Sequence, residues 1–322
     1  MFKMSASLVP PAFSQHASNL LQRVQQGASR VELVYTTHDR WPCRPSSPLD
    51  SANPLRISVV DSSFNPPTLA HLALANIPPH PPGLVSLDLP SLNVAREDYD
   101  AKLLLLSVRN ADKVLKPGDA SQVQRLEMMY LMAKELVSST QVIAQESNVA
   151  VAIIDEPTFA GKSTALTQYL FSRLQALHSS ESQSPMKPLK PQMTFTMGYD
   201  TLIRLISPRF YPSEGDMHQA LKKFLSSAME DCNIVCARRP PTGPDSLSQA
   251  VSESQTLETF ERIIGEKRVS LVNIGEDEQT YSSTAVRTKV QAADNSWMGV
   301  VLPNIAQYIE QASLYSVVQS LS

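Results

Sequence analysis

Two textures of apolar residues alternate along this chain. Short continuous runs, rich in β-branched residues and leucine, include Ile57–Val60, "LLLLS" at Leu103–Ser107, "VAVAII", "MTFTMGYD", "CNIVCARR" and "RVSLVNI". Such short, largely apolar runs, with "MTFTMGYD" alternating, predict the strands of a buried sheet. Between them lie segments with helical spacing. Pro66 or Pro67 opens one that reaches about Asn76; Val123, Leu126, Met129, Tyr130, Ala133, Leu136 and Val137 mark a second; residues 162–178 a third; "TLIRLI" a fourth. A helix from about Ser283 and one over "PNIAQYIEQASL" complete the set. Strands alternating with helices predict an α/β fold, a parallel sheet with helices on both faces. Ligands of such sheets sit beyond the carboxyl ends of the strands.

Ahead of this pattern, Ser18 is placed to cap a helix with Leu20, Leu21 and Val24 as its apolar stripe, followed by a strand, "VELVYTT". Proline then breaks the chain over "DRWPCRPSSPLDSANP". This divides the chain into an N-terminal helix and strand extension with its connector, residues 1–54, and a main domain, residues 55–322, with loop insertions at 78–92, 179–192 and 239–256. No internal repeat is visible.

Composition narrows the chemistry. A net charge of −3 argues against nucleic acid or a membrane surface as partner, so any anionic ligand must be held by local clusters. Glycine is scarce, 10 of 322 residues, and no glycine-rich dinucleotide loop is present. Three cysteines, Cys43, Cys232 and Cys236, suggest a reducing compartment without a disulfide framework. The six histidines show no paired ligand spacing, so no metal site is expected from the side chains. The first 31 residues hold three basic residues and no acid, a transit-peptide composition, but the strand that follows argues for an integral element and a cytoplasmic or nuclear protein.

Three stretches carry candidate chemistry. In "RISVVDSSFNPPTLAHLALA" a strand ends at a turn of Asp, Ser, Asn and two prolines. Asn65 is placed to cap the next helix, and Thr68 and His71, at i and i+3, share a face at its start. Free N–H groups, a hydroxyl and an imidazole make a phosphate site without a glycine loop; a core or surface histidine beside an ordinary capped helix is the equal alternative. "YSSTAVRTKV" gathers Ser282, Ser283 and Thr284 at a helix start with Arg287 one turn in, a set suited to a polyphosphate tail. In "TMGYDTLIRLI", Gly198 permits a tight exit from a strand, and Asp200 is placed to cap the following helix or to accept ribose hydroxyls.

Together these stretches resemble the nicotinamide mononucleotide adenylyltransferase family of nucleotidyltransferases, in a fungal-like branch by its loops. "SFNPPTLAH" is similar to the family's Gly-x-Phe-x-Pro turn followed by His/Thr-x-x-His, "SSTAVR" to its Ser-Ser-Thr-x-x-Arg motif, and "GYD" to its Gly-x-Asp. "NIVCARR" resembles a strand ending in arginine, here Arg239. "RNADKVLKPGDASQVQRLEMM" resembles the substrate segment, which points to Lys113 and Arg125. Ser62 stands where the family has its first-motif glycine, and Ala70 where a glycine commonly precedes the second histidine.

The resemblance implies a Rossmann-like nucleotidyltransferase fold and adenylyl transfer from ATP to nicotinamide mononucleotide, giving NAD and pyrophosphate with Mg2+ as cofactor. It implies His71, Thr68 and Arg287 as catalytic residues. ATP would be bound by Ser62, Ser63, Phe64, Asn65, Ser283, Thr284 and Arg287, and the mononucleotide by Lys113, Arg125, Gly198, Asp200 and Arg239. A base-stacking aromatic is not assigned, Phe210 and Tyr211 being only nearby. Three rivals remain. One is a relative of the same fold that binds or hydrolyses ATP with protein partners, and another a nucleotidyltransferase with a different donor or phosphate acceptor. The third is a P-loop kinase, suggested by "GKST" in "EPTFAGKSTALTQYL". That motif needs a glycine where Glu156 stands; the plainer account is a glycine turn with Ser163 or Thr164 as helix cap.

Overall fold

A computed structural model describes residues 7–46, 54–79, 98–109, 118–139, 147–181, 189–238 and 246–316. Seven strands form one sheet: β1 (Val31–Thr36), β2 (Leu55–Asp61), β3 (Ala101–Ser107), β4 (Val149–Ile154), β5 (Pro191–Gly198), β6 (Asn233–Ala237) and β7 (Val269–Val272). Their spatial order is β1-β4-β3-β2-β5-β6-β7. All neighbours are parallel except β1, which runs antiparallel along β4 at the sheet edge. From β2 onward this is the doubly wound Rossmann-like order, and its direction reverses between β2 and β5. A crevice is expected there, outside the carboxyl ends of those two strands.

The continuous apolar runs are explained by helices on both faces. Ile57, Val59, Leu103, Leu105, Ala150, Ala152 and Phe195 point into one core. It is closed by α4 (Phe159–Glu181), α5 (Tyr199–Leu205), α6 (Glu214–Leu225) and α7 (Ser246–Ile264). Their alternates Val60, Leu104, Leu106, Val149, Val151 and Ile153 point into the other. That side is covered by α1 (Pro11–Gln25), α3 (Gln122–Ser139), α8 (Ser283–Gln291) and α9 (Pro303–Gln311), with α2 (Leu69–Ala75) at its margin. The period-2 alternation of a strand thus feeds two cores, and no strand position has to be polar.

Several expectations from sequence are corrected. α1 begins at Pro11, not at Ser18, which lies inside the helix; proline at N1 supplies the start because its missing N–H is not needed there. Thr68 rather than Asn65 is the N-cap of α2, and Gly198 rather than Asp200 that of α5. Helix α6, unforeseen in the sequence, buries Met217, Leu221, Phe224 and Leu225 behind the cap of Ser213, whose side chain accepts from the Asp216 N–H. The Ser/Pro-rich stretch expected as a loop to Thr256 is helical from Ser246, since Thr256, Phe260, Ile263 and Ile264 fall on one buried stripe. In the other expected insertions, residues 80–92 lie outside the described residues, and α4 continues to Glu181 before β5 begins at Pro191. The N-terminal segment places α1 and β1 in the same sheet and core as the rest.

Phe195, on central strand β5, is fully buried and meets Phe224 edge to face at 5.1 Å. Phe195→Ala is expected to lower unfolding stability by ~3–5 kcal/mol, the usual cost of truncating a buried ring. A denaturant titration reads this as a lower midpoint at unchanged slope.

Candidate functional site

A cavity of about 840 Å³ opens where the strand order reverses. Its walls come from the end of β2 (Val60, Asp61, Ser62), from α2 (Ala70, His71, Leu74), from the end of β5 with α5 (Thr196 to Thr201), from Arg238 after β6, and from residues 278–282 before α8. The doubly wound topology alone brings these segments together.

The β2–α2 turn is the most tightly determined part. Asn65 Nδ2 donates to Asp119 at 2.8 Å, while its Oδ1 accepts from the Ala120 N–H at 3.2 Å and the Tyr315 hydroxyl at 2.9 Å. Its carbonyl accepts from Arg287 at 2.6 Å, and the Ser283 hydroxyl donates to the next carbonyl, Pro66, at 2.7 Å. Asp119 also faces Arg287 at 3.5 Å and Arg125 at 3.7 Å. Arg125 is 8% exposed, and it donates to the carbonyls of Ala120 and Ser63. Burial lowers its pKa and pushes that of the Tyr315 phenol up. Phe64 is held at φ 44°, a left-handed conformation costly for a side chain of this size, with its ring 5.2 Å from the imidazole of His71.

His71 is fixed at both ring nitrogens. The backbone N–H of Thr68 donates to Nδ1 at 3.0 Å, and the Thr68 hydroxyl lies 2.9 Å from the same atom. A peptide N–H can only donate, so Nδ1 offers its lone pair and the neutral ring carries its proton on Nε2. Nε2 then donates to Ser62 Oγ at 2.9 Å, on the cavity wall. Thr68 and His71 form a capping box in which an imidazole takes the role usually played by Glu or Gln.

Two charges of the cavity wall, Asp61 and Arg238, are paired. Asp61 meets Lys162 at 2.5 Å with both side chains 7% exposed, and Arg238 meets the buried Glu253 at 3.3 Å. Lys162 belongs to "GKST". The geometry there is not that of a P-loop. Glu156 accepts from the N–H and hydroxyl of Thr158 at 3.3 and 3.0 Å, and a Cβ on Gly161 would collide with its carboxyl. The carboxylate thus sits where a phosphate would. Thr158 caps α4 by accepting from the Gly161 N–H, while Ser163 and Thr164, expected as caps, lie within the helix and donate to Glu230.

Of the residues singled out in the sequence, Ser62, His71, Gly198 and Asp200 line the cavity, and Thr68 stands directly behind His71. Asn65, Ser283, Thr284 and Arg287 converge on the turn rather than on the cavity wall, with Thr284 accepting from Arg287 at 3.3 Å. Ser63 meets Arg125 through its carbonyl, and Arg125 faces that same turn. Lys113 and Arg239 lie outside the described residues; Arg238, one position earlier, reaches the cavity. Tyr211 spends its hydroxyl on the Leu205 carbonyl, and neither it nor Phe210 lines the cavity. The sequence reading did not single out Asp61, Tyr199, Arg238 or Tyr281, all in the wall, or Asp119 behind the turn. Asp61 had a usable signal, a carboxylate directly preceding Ser62 at a strand's carboxyl end.

Among the described residues, no group of three or more His, Cys, Asp or Glu is placed to hold a metal ion, and no helix is long and apolar enough to cross a membrane. No family model matches the chain. It is 29% identical over 194 residues to the Schizosaccharomyces pombe protein named "Putative nicotinamide mononucleotide adenylyltransferase", an alignment covering 60% of this chain and 57% of that relative. The chain thus matches a little over half the relative's length. This supports the resemblance to the nicotinamide mononucleotide adenylyltransferase family carried by the motifs. Among solved structures, the chain is similar to the Plasmodium falciparum nicotinic acid mononucleotide adenylyltransferase complexed with APC, at 15% identity and a TM-score of 0.42, over 81% of this chain and 96% of that one.

The Lys162–Asp61 pair makes a clear prediction. Lys162→Ala leaves a buried carboxylate unpaired and is expected to cost ~3–5 kcal/mol of stability. The double variant Asp61→Asn/Lys162→Met should recover most of that loss. Equal stability of Lys162→Ala and the parent in thermal melts would contradict the pairing.

Proposed function

We propose that this protein transfers the adenylyl group of ATP to nicotinamide mononucleotide, giving NAD and pyrophosphate. The observation that carries the proposal is the Thr68–His71–Ser62 arrangement at the wall of a cavity at the sheet's switch point. That arrangement lies within the stretch that resembles the family's first motif, and the curated relative points the same way.

In this reading a phosphate oxygen of the mononucleotide attacks the α-phosphorus of ATP. A new P–O bond forms, the bond from that phosphorus to the bridging oxygen breaks, and pyrophosphate leaves with the electron pair. No protein nucleophile takes part; the enzyme positions both substrates and stabilises developing charge. The hydrogen-bonded chain Thr68–His71–Ser62 meets the transferring phosphate at the cavity wall. Ser283, Thr284 and Arg287 contribute to nucleotide binding by holding the Asn65–Pro66 turn in place. Asp200 accepts ribose hydroxyls, and Arg238 with its neighbour Arg239 provides cationic character on the mononucleotide side. Magnesium is proposed as the cofactor, supplying charge neutralisation of the phosphate chain. The described side chains offer no set of three carboxylates or imidazoles for it, so it would be held mainly by phosphate oxygens and water. The same reading sets the protein in the cytoplasm or nucleus, where thiols such as Cys43, Cys232 and Cys236 remain reduced.

A second reading, an ATP-binding or ATP-hydrolysing relative, is favoured by one specific observation. Ser62 adds a side chain where the family has glycine, and that side chain engages Nε2 of His71.

Incubation with ATP, nicotinamide mononucleotide and Mg2+, followed by chromatography, separates the two readings. NAD and pyrophosphate are expected; ADP and phosphate without dinucleotide would establish the second. His71→Ala is expected to keep its melting temperature within a few degrees and to lower single-turnover NAD formation by ~10²–10³-fold, the usual loss for one oxyanion donor. Near-normal turnover in the folded variant would remove His71 from the mechanism.

A further inference from the structure

We infer that the Ser62 hydroxyl, rather than the imidazole of His71, is the hydrogen-bond donor that touches the bound phosphate, and that His71 acts through it as a positioning residue. This rests on the proposed phosphate chemistry of the site and deepens it.

The direction of each hydrogen bond follows from one fixed point. The Thr68 N–H has only a hydrogen to give, and it gives it to Nδ1 at 3.0 Å. The neutral ring therefore holds its proton on Nε2, which faces Ser62 Oγ at 2.9 Å. Oγ accepts there, so its own hydrogen must point elsewhere. Among the described residues Ser62 Oγ has no second hydrogen-bond partner, and Ser62 lines the cavity. The chain of donors thus runs Thr68 N–H, imidazole, Ser62 O–H, cavity. Each link orients the next, and the final O–H is the group free to meet an anion. A hydroxyl that accepts a hydrogen bond is polarised and becomes a better donor.

The rest of the wall makes this donor consequential. The ammonium of Lys162 is taken by Asp61, and the guanidinium of Arg238 faces Glu253. The position of Ser62 is set by the strand: its N–H donates to the Leu105 carbonyl at 3.4 Å, continuing the β2–β3 ladder by one residue. Its side chain thus leaves β2 at a fixed point at the carboxyl edge. The serine that departs from the family's glycine becomes a built part of the site, not an obstruction in it.

The inference separates cleanly from a direct imidazole contact. If Nε2 itself met the phosphate, Ser62 would compete for its proton, and Ser62→Ala or Ser62→Gly would leave turnover unchanged or raise it. If Ser62 is the last link, Ser62→Ala and His71→Ala each interrupt one chain, and combining them adds little.

The test uses the full-length protein with ATP, nicotinamide mononucleotide and Mg2+, and compares the parent with Ser62→Ala, Ser62→Gly, His71→Ala and Ser62→Ala/His71→Ala, each checked by melting curve. Single-turnover NAD formation and calorimetric ATP affinity are both read. The expected result is a ~10²-fold slower rate for Ser62→Ala, with the double variant within about threefold of the slower single. In the parent, 15N spectra should place the His71 proton on Nε2. Rates in Ser62→Ala or Ser62→Gly within twofold of the parent or above it, multiplicative losses in the double variant, or a proton on Nδ1 would overturn the inference. If the parent makes no NAD, the adenylyltransferase reading fails. The relay is then decided by ATP affinity alone: equal losses in both single variants with no further loss in the double sustain it, and independent losses overturn it.

Discussion

The site depends on the bonding of one buried side chain, Asn65. Its amide donates to Asp119, its side-chain oxygen accepts from Ala120 and Tyr315, and its carbonyl accepts from Arg287. The residue is 4% exposed, and its carbonyl and both side-chain polar atoms are bonded within the protein. A buried polar group without partners would cost about 1–3 kcal/mol for each unmade bond, so the turn tolerates very few alternative geometries. That rigidity sustains Phe64 at φ 44°, sets where α2 begins, and so places the Thr68 N–H against His71. The protonation pattern of the imidazole is thus the far end of a constraint that starts at an asparagine.

The residues gathered by "SSTAVR" gain a different meaning from this arrangement. A hydroxyl from Ser283 and the guanidinium of Arg287 cross from α8 to the β2–α2 turn and hold consecutive carbonyls, those of Pro66 and Asn65. In chain order these elements are far apart, yet they behave as one rigid unit flanking the cavity. The ends of β2 and β6 follow another principle. There Asp61 with Lys162 and Arg238 with Glu253 bring charges to the cavity already paired.

Much of this was legible in the sequence. Continuous β-branched runs announced strands buried on both faces, and the alternation with helices announced a parallel sheet. The chemistry-bearing stretches "DSSFNPPTLAH", "GYD" and "YSSTAVR" do meet around one crevice or its supporting turn. What stayed hidden has physical causes. The caps of α2 and α5 were misassigned because Asn, Thr, Gly and Asp are all competent caps and only the exit direction of the strand decides among them. Helix α6 was obscured by its charged residues and α7 by its serine-rich composition, since three or four apolar residues on one stripe are enough once a sheet lies beneath them. Pairings such as Asp61 with Lys162 and Asp119 with Arg287 span 101 and 168 positions of chain, and no local pattern encodes them.

The bond from Tyr315 to Asn65 joins residues 250 positions apart. A chain made from its amino terminus exposes the β2 strand and its turn long before the segment that completes them exists. Until then Asn65 lacks one of its partners, and helices α4 to α9 are added to the two faces of the sheet one after another. Contacts of such sequence separation form late and slowly, after the loop-closure entropy of most of the chain has been overcome. The cavity is therefore a late product of synthesis: the segment that opens it is made early, and nearly the last described residue locks its supporting turn.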